Sequence, residues 1–466
     1  MKRLNELFSC NYDTIIKGIK INSKEVEEGD LFVCTMGVTA DRHDYIDDAI
    51  QKGAAAIVVQ KNVGAKPVPI IMVKNTNEIL HPLCNKFYDK PIEKLKIIAI
   101  TGTDGKTSSA LILQALIGDD CAYLGSNGRI CSKFKREISN TTPDADKLYL
   151  YLDEFVQAGC KYVVMEASSE GFYRERLKGL KFDLGALTNV TVDHLNIHGS
   201  FENYLDCKKQ LFKQLKSDAF GVLNIDDKFY EEFLKITKKP FTYGIHDDAN
   251  LRFDYQLYSD HTMVNFYYGQ EKYTVRSPLV ASFNVYNLAC ALSIVISLGL
   301  NPKEALERIN NIQIEGRLEH LNIDKDFDVI IDYAHTINAI KKLFDFYKQV
   351  VKGRIVVVVG AAGARERLKR SVIGKYLADN TDKIYFTTDD PFTEDPKAII
   401  DELIKDIKDY FNYEIVIDRK EAIAKAIKEA QKDDSIFIIG RGSENYQTVG
   451  YEKIYLNDKE EVLKNL

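Results

Sequence analysis

Ile97-Ile98-Ala99-Ile100-Thr101-Gly102-Thr103-Asp104-Gly105-Lys106-Thr107, running on into Ser108-Ser109-Ala110-Leu111-Ile112-Leu113, is the stretch on which the reading of this chain turns. Its apolar, β-branched opening predicts a buried parallel strand, and the residues after Lys106 predict the first turns of a helix. Between them lies a loop of two glycines, a lysine and hydroxyls. Glycine lets a backbone curl with its N–H groups inward, and a helix N-terminus adds partial positive charge, so the three parts together make a cradle for phosphates. Lys106 can reach the β- and γ-oxygens, and the Thr107 hydroxyl can ligate Mg2+. Ile100 stands where the strict G-x-x-x-x-G-K-[ST] pattern has its first glycine. A glycine turn before an ordinary helix would need only the loop; with strand, loop and helix all present, the stretch reads as an ATP site.

A chain of 466 residues exceeds one core, which predicts two or three domains. With 45% hydrophobic and 28% charged residues, its composition is that of an ordinary soluble globular protein. A net charge of −6 spread over this length argues against nucleic acid or an anionic membrane as partner. The 8 cysteines form no C-x-x-C pair, so reduced thiols in a cytoplasmic protein are expected and a structural zinc is not. Met1-Lys2-Arg3-Leu4-Asn5-Glu6 lacks the apolar stretch of a signal peptide. No apolar run is long enough to span a membrane, so no membrane insertion is expected.

Residues 1–91 form the first expected unit. Asp30-Leu31-Phe32-Val33-Cys34 and Ala54-Ala55-Ala56-Ile57-Val58-Val59 read as strands, with a helix over 45–52 between them. Asn22-Ser23-Lys24 and Thr39-Ala40-Asp41-Arg42-His43 are polar loops able to hold a ligand, although such loops are more often merely solvated. The second unit, 92–319, carries the phosphate loop. Tyr162-Val163-Val164-Met165-Glu166 is a strand that delivers a carboxylate at its carboxyl end, and Leu184-Gly185-Ala186-Leu187-Thr188-Asn189 is another. In parallel α/β sheets the ligand crevice lies beyond the carboxyl ends of the strands, so Glu166, Asn189, Asp193, His194 and His198 are expected to converge on the loop. An amphipathic helix over 204–212 and an apolar helix over 281–298 follow, the latter broken by Gly299-Leu300-Asn301-Pro302. The third unit, 320–466, alternates strands (329–333, 354–359, 383–386, 413–417, 435–439) with helices, which predicts a Rossmann-like, mostly parallel sheet. The expectation is an α/β protein of three domains.

With these segments in place, the chain resembles the Mur ligase family and, within it, the UDP-N-acetylmuramoyl-tripeptide synthetase branch, which adds the third amino acid to the peptidoglycan precursor stem. The resemblance runs through essentially the whole chain in order. The family's T-G-T-N-G-K-T loop is Thr101 to Thr107 with Asp104 for Asn, and its N-T-T-P segment is Asn140-Thr141-Thr142-Pro143. E-x-S-S-H appears as Glu166-Ala167-Ser168-Ser169 with Glu170 for His, and the downstream substrate arginine corresponds to Arg176. T-N-x-x-x-D-H-L-x-x-H-G is intact from Thr188 to Gly199. Y-x-x-A-K-x-x-L-F has Cys207 for Ala and sets the family's carbamylated lysine at Lys208. F-N-x-x-N is Phe283 to Asn287, G-R-x-E is Gly316 to Glu319, and D-Y-A-H-T-P is Asp332 to Thr336 with Ile337 in place of proline.

The resemblance implies a cytoplasmic, monomeric ATP- and Mg2+-dependent amide ligase. It implies a UDP-binding first domain, an ATP-binding central domain, and a third domain that holds the amino acid. A carboxylate of UDP-N-acetylmuramoyl-L-alanyl-D-glutamate would attack the γ-phosphate of ATP, and a free amino acid would displace phosphate from the acyl phosphate. Lys106, Glu166, His194 and Lys208 would be the catalytic set. Gly102, Thr103, Asp104, Gly105, Lys106, Thr107, Ser108, Asn189, Asn284, Asn287, Arg317, Asp332 and His335 would hold ATP. Mg2+ would sit on Thr107 and Glu166, with a second ion near His194 and Lys208. As an ammonium Lys208 cannot bind a cation, whereas a carbamate supplies an anionic oxygen and requires a lowered pKa. Ser23, Asn140, Thr141, Thr142, Ser168 and Arg176 would hold the UDP-muramoyl dipeptide.

The departures gather in the amino-acid pocket, implied at Arg365, Asp389, Asp390, Pro391, Phe392, Glu394, Gly440 and Glu444. Diaminopimelate-adding members carry D-N-P-R-x-E, whose arginine pairs with the distal carboxylate; here Asp389-Asp390-Pro391-Phe392-Thr393-Glu394 has no arginine. The basic segment 365–370 could hold an α-carboxylate or ATP. Lysine is the favoured amino acid, ornithine next, and a neutral one remains open because an aromatic face also serves an aliphatic stem. Two other readings stand beside this one: a related ligase with another acceptor, as in folate polyglutamylation or secondary metabolism, and a nucleotide-binding partner protein that has lost catalysis.

Overall fold

The strand Lys96–Thr101 lies inside an eleven-stranded sheet, between Tyr162–Glu166 and Phe182–Leu187, both parallel to it. In the computed structural model, which describes residues 1–37, 40–365, 367–407, 409–410 and 412–466, alternate residues of this strand feed two cores. Ile97 and Ala99 face one, with Leu152, Phe155 and Phe212; Ile98 and Ile100 face the other, with Leu113, Leu288 and Val295. A strand buried on both faces has no solvent side, which is why its sequence shows no polar alternation. Helices Lys106–Ile117 and Ser282–Ser297 cover the Ile98 face, and Ala145–Ala158 and Phe201–Lys213 cover the other.

Successive neighbours are parallel from Cys121–Gly125 to Leu251–Leu257. Antiparallel hairpins extend both edges, Gly128–Cys131 with Phe134–Arg136 on one side and Thr262–Tyr268 with Glu271–Ser277 on the other. The last stretch of chain builds a six-stranded sheet. Asp328–Asp332, Ser435–Ile439, Ile355–Val359, Lys383–Phe386 and Tyr413–Ile415 run parallel, and Glu319–His320 is antiparallel at the edge. Near the N-terminus Gly18–Lys20, Asp30–Val33, Ala56–Val59 and Ile70–Met72 form a parallel sheet. The helix expected over 45–52 is Ile46–Gln51. Thr39, in one of the polar loops, and Glu366, in the basic segment, lie outside the described residues. Among the described residues no helix is long and apolar enough to cross a membrane.

The arrangement of the two larger sheets makes the site. Their carboxyl ends face one another across a cavity of about 1000 Å³. The central sheet contributes Gly102, Glu166, Thr188 and Asn224, and the C-terminal sheet contributes Asp332, Gly360, Asp389 and Gly440. Each parallel sheet opens a crevice at that edge, and here two crevices share one space.

Candidate active site

At the phosphate end the loop is braced from behind. Gly105 is left-handed (φ +82°), and a side chain on it would strike Asn287 Oδ1. Asn189 Oδ1 accepts from Asp104 N (3.1 Å) and its Nδ2 donates to Asp104 O (3.0 Å), so this residue clamps both backbone groups of Asp104. The Thr103 hydroxyl meets Tyr204 Oη at 2.9 Å. Lys106 Nζ arches back to donate to Gly102 O (2.9 Å) and Thr103 O (2.7 Å). Thr107 Oγ1 lies 2.9 Å from both carboxylate oxygens of Glu166, which is 1% exposed and also accepts from Tyr123 Oη (2.6 Å) and Ser126 N (2.9 Å). A hydroxyl beside a buried carboxylate is a hard-oxygen pair that fits Mg2+, provided phosphate and water complete the shell. The described residues contain no cluster of three or more His, Cys, Asp or Glu suited to a metal, so the remaining ligands have to come from that source.

Lys208, 1% exposed, lies 4.3 Å from the Tyr204 ring centroid and donates to Gly102 O at 2.6 Å. Burial, reinforced by the nearby Lys106 charge, holds its amine well below the usual lysine range, and a neutral amine is what carbamylation requires. His194 sits beside it in the left-handed region (φ +54°), a strained position for a residue with a side chain. Its partial burial, with Lys106 and Lys208 close by and only Asp193 opposing, pushes the imidazole down to about 4. His198 does not join this group. It is buried, 3.1 Å from Ser169 Oγ, with its ring against Tyr173 and Tyr204, so it packs between the helices Ser169–Tyr173 and Phe201–Lys213 and does not line the cavity.

From the opposite sheet, Arg317 Nη2 reaches Thr107 Oγ1 at 3.3 Å. Asp332 is committed to its own turn, accepting from Leu318 N and Ala334 N at 2.7 Å each. It therefore fixes Arg317 and His335 while lining the wall. Asn284 and Asn287 are linked at 3.1 Å behind Gly105.

The expected acceptor residues divide between two adjoining spaces. Thr141, Thr142 and Ser168 line the main cavity; Thr142 Oγ1 lies 2.9 Å from Ser168 Oγ and 2.8 Å from Glu166 O. Asn140 and Arg176 border both this cavity and a second one of about 550 Å³, where Ser23 lies with Lys24 and Arg42. Arg176 donates to Thr142 O at 3.1 Å and has the carboxylates of Asp144 (3.4 Å) and Glu170 (4.0 Å) beside it.

At the other end, Asp389, Asp390, Phe392, Gly440 and Glu444 line the wall; Arg365 and Lys369 line the same cavity, with Arg365 toward Glu170 and Lys369 toward Asp193 and His335. Arg441, 0% exposed, stands behind them with Nη1 2.7 Å from Asp390 and 3.9 Å from each of Asp389 and Glu444. One guanidinium thus serves three carboxylates. Burial and Asp389 raise the Glu444 carboxyl to about 7, with Arg441 pulling the other way. Phe392 is left-handed (φ +50°) and pinned by the hairpin Tyr446–Val449/Glu452–Tyr455: it donates to Thr448 O (3.1 Å) and accepts from Gly450 N (2.6 Å).

Two residues expected in this pocket are elsewhere. Glu394 faces away, held by Arg370 Nη1 (3.0 Å), Arg367 Nη2 (2.9 Å) and Ala364 N (2.6 Å); the Arg370 hydrogen bond leads in keeping its carboxyl near about 2. Pro391 shapes the loop, its carbonyl packed over Gly363, and does not line the cavity. Arg370 is likewise spent on Glu394 and Glu402, so within the basic segment it is Arg365 and Lys369 that reach the cavity. Sequence reasoning passed over Tyr333 and Arg441, although Tyr333 lies inside the aligned segment Asp332 to Thr336 and Arg441 directly follows Gly440.

Three family models match successive stretches: the Mur ligase family catalytic domain at residues 15–88, the Mur ligase middle domain at 100–295, and the Mur ligase glutamate ligase domain at 316–442. A UDP-N-acetylmuramoyl-L-alanyl-D-glutamate–2,6-diaminopimelate ligase of Fusobacterium nucleatum is 35% identical, covering 97% of this chain and 94% of that one. A protein of the same name from Bacillus cereus is 34% identical over 98% and 97%. A solved structure of a ligase with that name superposes at a TM-score of 0.67 with 26% identity, covering 100% and 98%.

Proposed function

The chain belongs to the Mur ligase family of ATP-dependent ligases, and on that premise we propose that it joins L-lysine to UDP-N-acetylmuramoyl-L-alanyl-D-glutamate in the assembly of the peptidoglycan precursor. An acceptor carboxylate and the γ-phosphate of ATP are both anions, so the first step needs cations around the transferring group. Lys106 from the loop and Arg317 from the opposite sheet supply two of them. Mg2+ bound at Thr107 and Glu166 would neutralise phosphate charge. A carbamate on Lys208, with His194, would offer ligands for a second ion. Arg176, with Thr142 and Ser168 fixing its surroundings, is suited to hold the acceptor's carboxylate. In the second step the amino acid's amine, having lost a proton, adds to the acyl phosphate carbonyl and phosphate leaves. Arg365 or Lys369 would take the α-carboxylate.

The amino acid is read from the single observation that Phe392 stands where diaminopimelate-adding members have their arginine, in a wall with three carboxylates and one buried guanidinium. That excess of negative charge suits a distal ammonium. A distal carboxylate would enter unpaired, at a cost of several kcal/mol. The relatives above are named for diaminopimelate, so the reading separates this chain from them. The test is phosphate release with the UDP-muramoyl dipeptide and either L-lysine or meso-diaminopimelate. The expected kcat/KM ratio favours lysine by about a hundredfold or more. Comparable values for the two would refute the lysine assignment and leave the ligase standing.

A further inference from the structure

Tyr333 touches both ends of the cavity at once. The Arg317 guanidinium lies 4.0 Å from its ring centroid, and that arginine reaches the phosphate loop through Thr107 at 3.3 Å. The Tyr333 hydroxyl donates to Glu444 Oε1 at 3.1 Å. A backbone contact runs alongside this route. Gly316 and Gly442, at φ +69° and +56°, pack so closely that a methyl on Gly442 would meet Gly316 O, Tyr333 Cβ and Arg317 Nη1 together. The turn that carries the nucleotide-side arginine and the turn that carries Glu444 therefore cannot shift independently.

We propose that Tyr333 is a positioning residue that ties the placement of Glu444 on the amino-acid side to that of Arg317 on the nucleotide side, so that ATP and the amino acid each favour the other's binding. The proposal rests on the ligase reading for its substrates and not on which amino acid is used. Its logic is that of a shared side chain with two separable contacts. The ring interacts with a cation through its face, and the hydroxyl hydrogen-bonds a carboxylate through its edge. Tightening Arg317 onto bound nucleotide steadies the ring, and the ring steadies the hydroxyl under Glu444. Glu444 is faced by Asp389, Asp390, Arg441 and Tyr333, and among these Arg441 and the Tyr333 hydroxyl favour its ionised form.

The two contacts can be cut one at a time. Y333F keeps the ring and removes the hydroxyl; Y333L removes both. L-lysine, L-ornithine and meso-diaminopimelate are titrated as the probes, and the one that the wild type uses best is followed. For Y333F the amino-acid KM rises about tenfold, the loss of one hydrogen bond to a charged group, while ATP affinity measured without amino acid stays within about twofold. The limb of kcat/KM that rises near pH 7 moves to higher pH, because Glu444 has lost a donor to its ionised form. For Y333L ATP affinity falls even without amino acid, and in both variants it no longer depends on amino-acid concentration. Y333F combined with E444Q binds the amino acid no worse than E444Q alone. An unchanged amino-acid KM and pH profile in Y333F overturns the proposal, as does an ATP affinity in Y333F that depends on amino-acid concentration as strongly as in the wild type. Should Y333L fold poorly, Y333F and the double variant still decide. If the wild type turns over none of the three, the amino-acid reading fails and thermal unfolding carries this test instead. A raised carboxyl stabilises the fold below its unfolded pKa and loses that contribution as pH rises through about 7. Y333F shifts the loss to higher pH; an identical profile refutes the tie.

Discussion

The two ends of the cavity are built on different principles. The phosphate end is largely backbone: glycine curvature, a helix N-terminus, and side chains such as Asn189 and Asn287 whose hydrogen bonds go to the loop itself. Such a site recognises what every nucleoside triphosphate shares, and few of its positions can change without collapsing the curve. The opposite end, which the proposed function gives to the amino acid, is a set of side-chain charges, Asp389, Asp390 and Glu444 around Arg441, on loops steadied by a hairpin. On that proposal one residue, Phe392, would alter what is accepted while the frame stays. The comparison teaches that departures from a family pattern weigh differently by location: Asp104 for Asn leaves its backbone contacts in place, whereas Phe392 for Arg removes a counter-charge.

The sharpest way to break this contrast is at the phosphate end. Lys106→Ala removes a cation from the transferring phosphoryl group, and kcat is expected to fall about a thousandfold or more. ADP release in a coupled assay reads it, and retention of over about a tenth of wild-type kcat would show the loop misassigned. Lys208→Ala comes next, with a loss of about a hundredfold, partly restored by short carboxylates that fill the vacated position. Full activity of the alanine variant refutes the carbamate, and mass spectrometry of the native protein for the added carboxyl group checks it independently. The smallest effect belongs to the other end. Phe392→Arg should raise the lysine KM about tenfold and introduce measurable turnover of meso-diaminopimelate, with the ATP KM unchanged. A variant that still rejects diaminopimelate would show that the pocket's selectivity is not set at this residue.

The strand, loop and helix of residues 97–113 were legible because both halves of the signal are local: unbroken β-branched burial, then glycine and lysine. The alternating strands of the last third were legible for the same reason. The antiparallel hairpins at the edges of the central sheet were not, because the strands Leu251–Leu257, Thr262–Tyr268 and Glu271–Ser277 mix polar and aromatic residues on a half-exposed surface. Within the site, residue types predicted proximity better than direction. Glu394 and His198 have the right chemistry, yet Arg370 and Arg367 claim the one and Ser169 the other. Those competing partners lie 24 to 29 residues away in sequence, and only the fold brings them in. Tyr333 escaped notice because an aromatic residue beside a buried strand end reads as core, whereas the proposed role depends on what its ring face and its hydroxyl meet.

The meeting of two strand-end crevices has a consequence for waste. Lys106 and Arg317 belong to opposite walls, one at the head of a helix under the central sheet, the other on a turn leading into the C-terminal one. Were the walls to part by a few ångströms, ATP on the loop would face water with half of its surrounding charge missing. The same parting would carry the carboxylates around Arg441 away from the phosphate loop. On the proposed reading, phosphoryl transfer and ligation therefore share one geometric requirement, that Lys106 and Arg317 stand on the same phosphate.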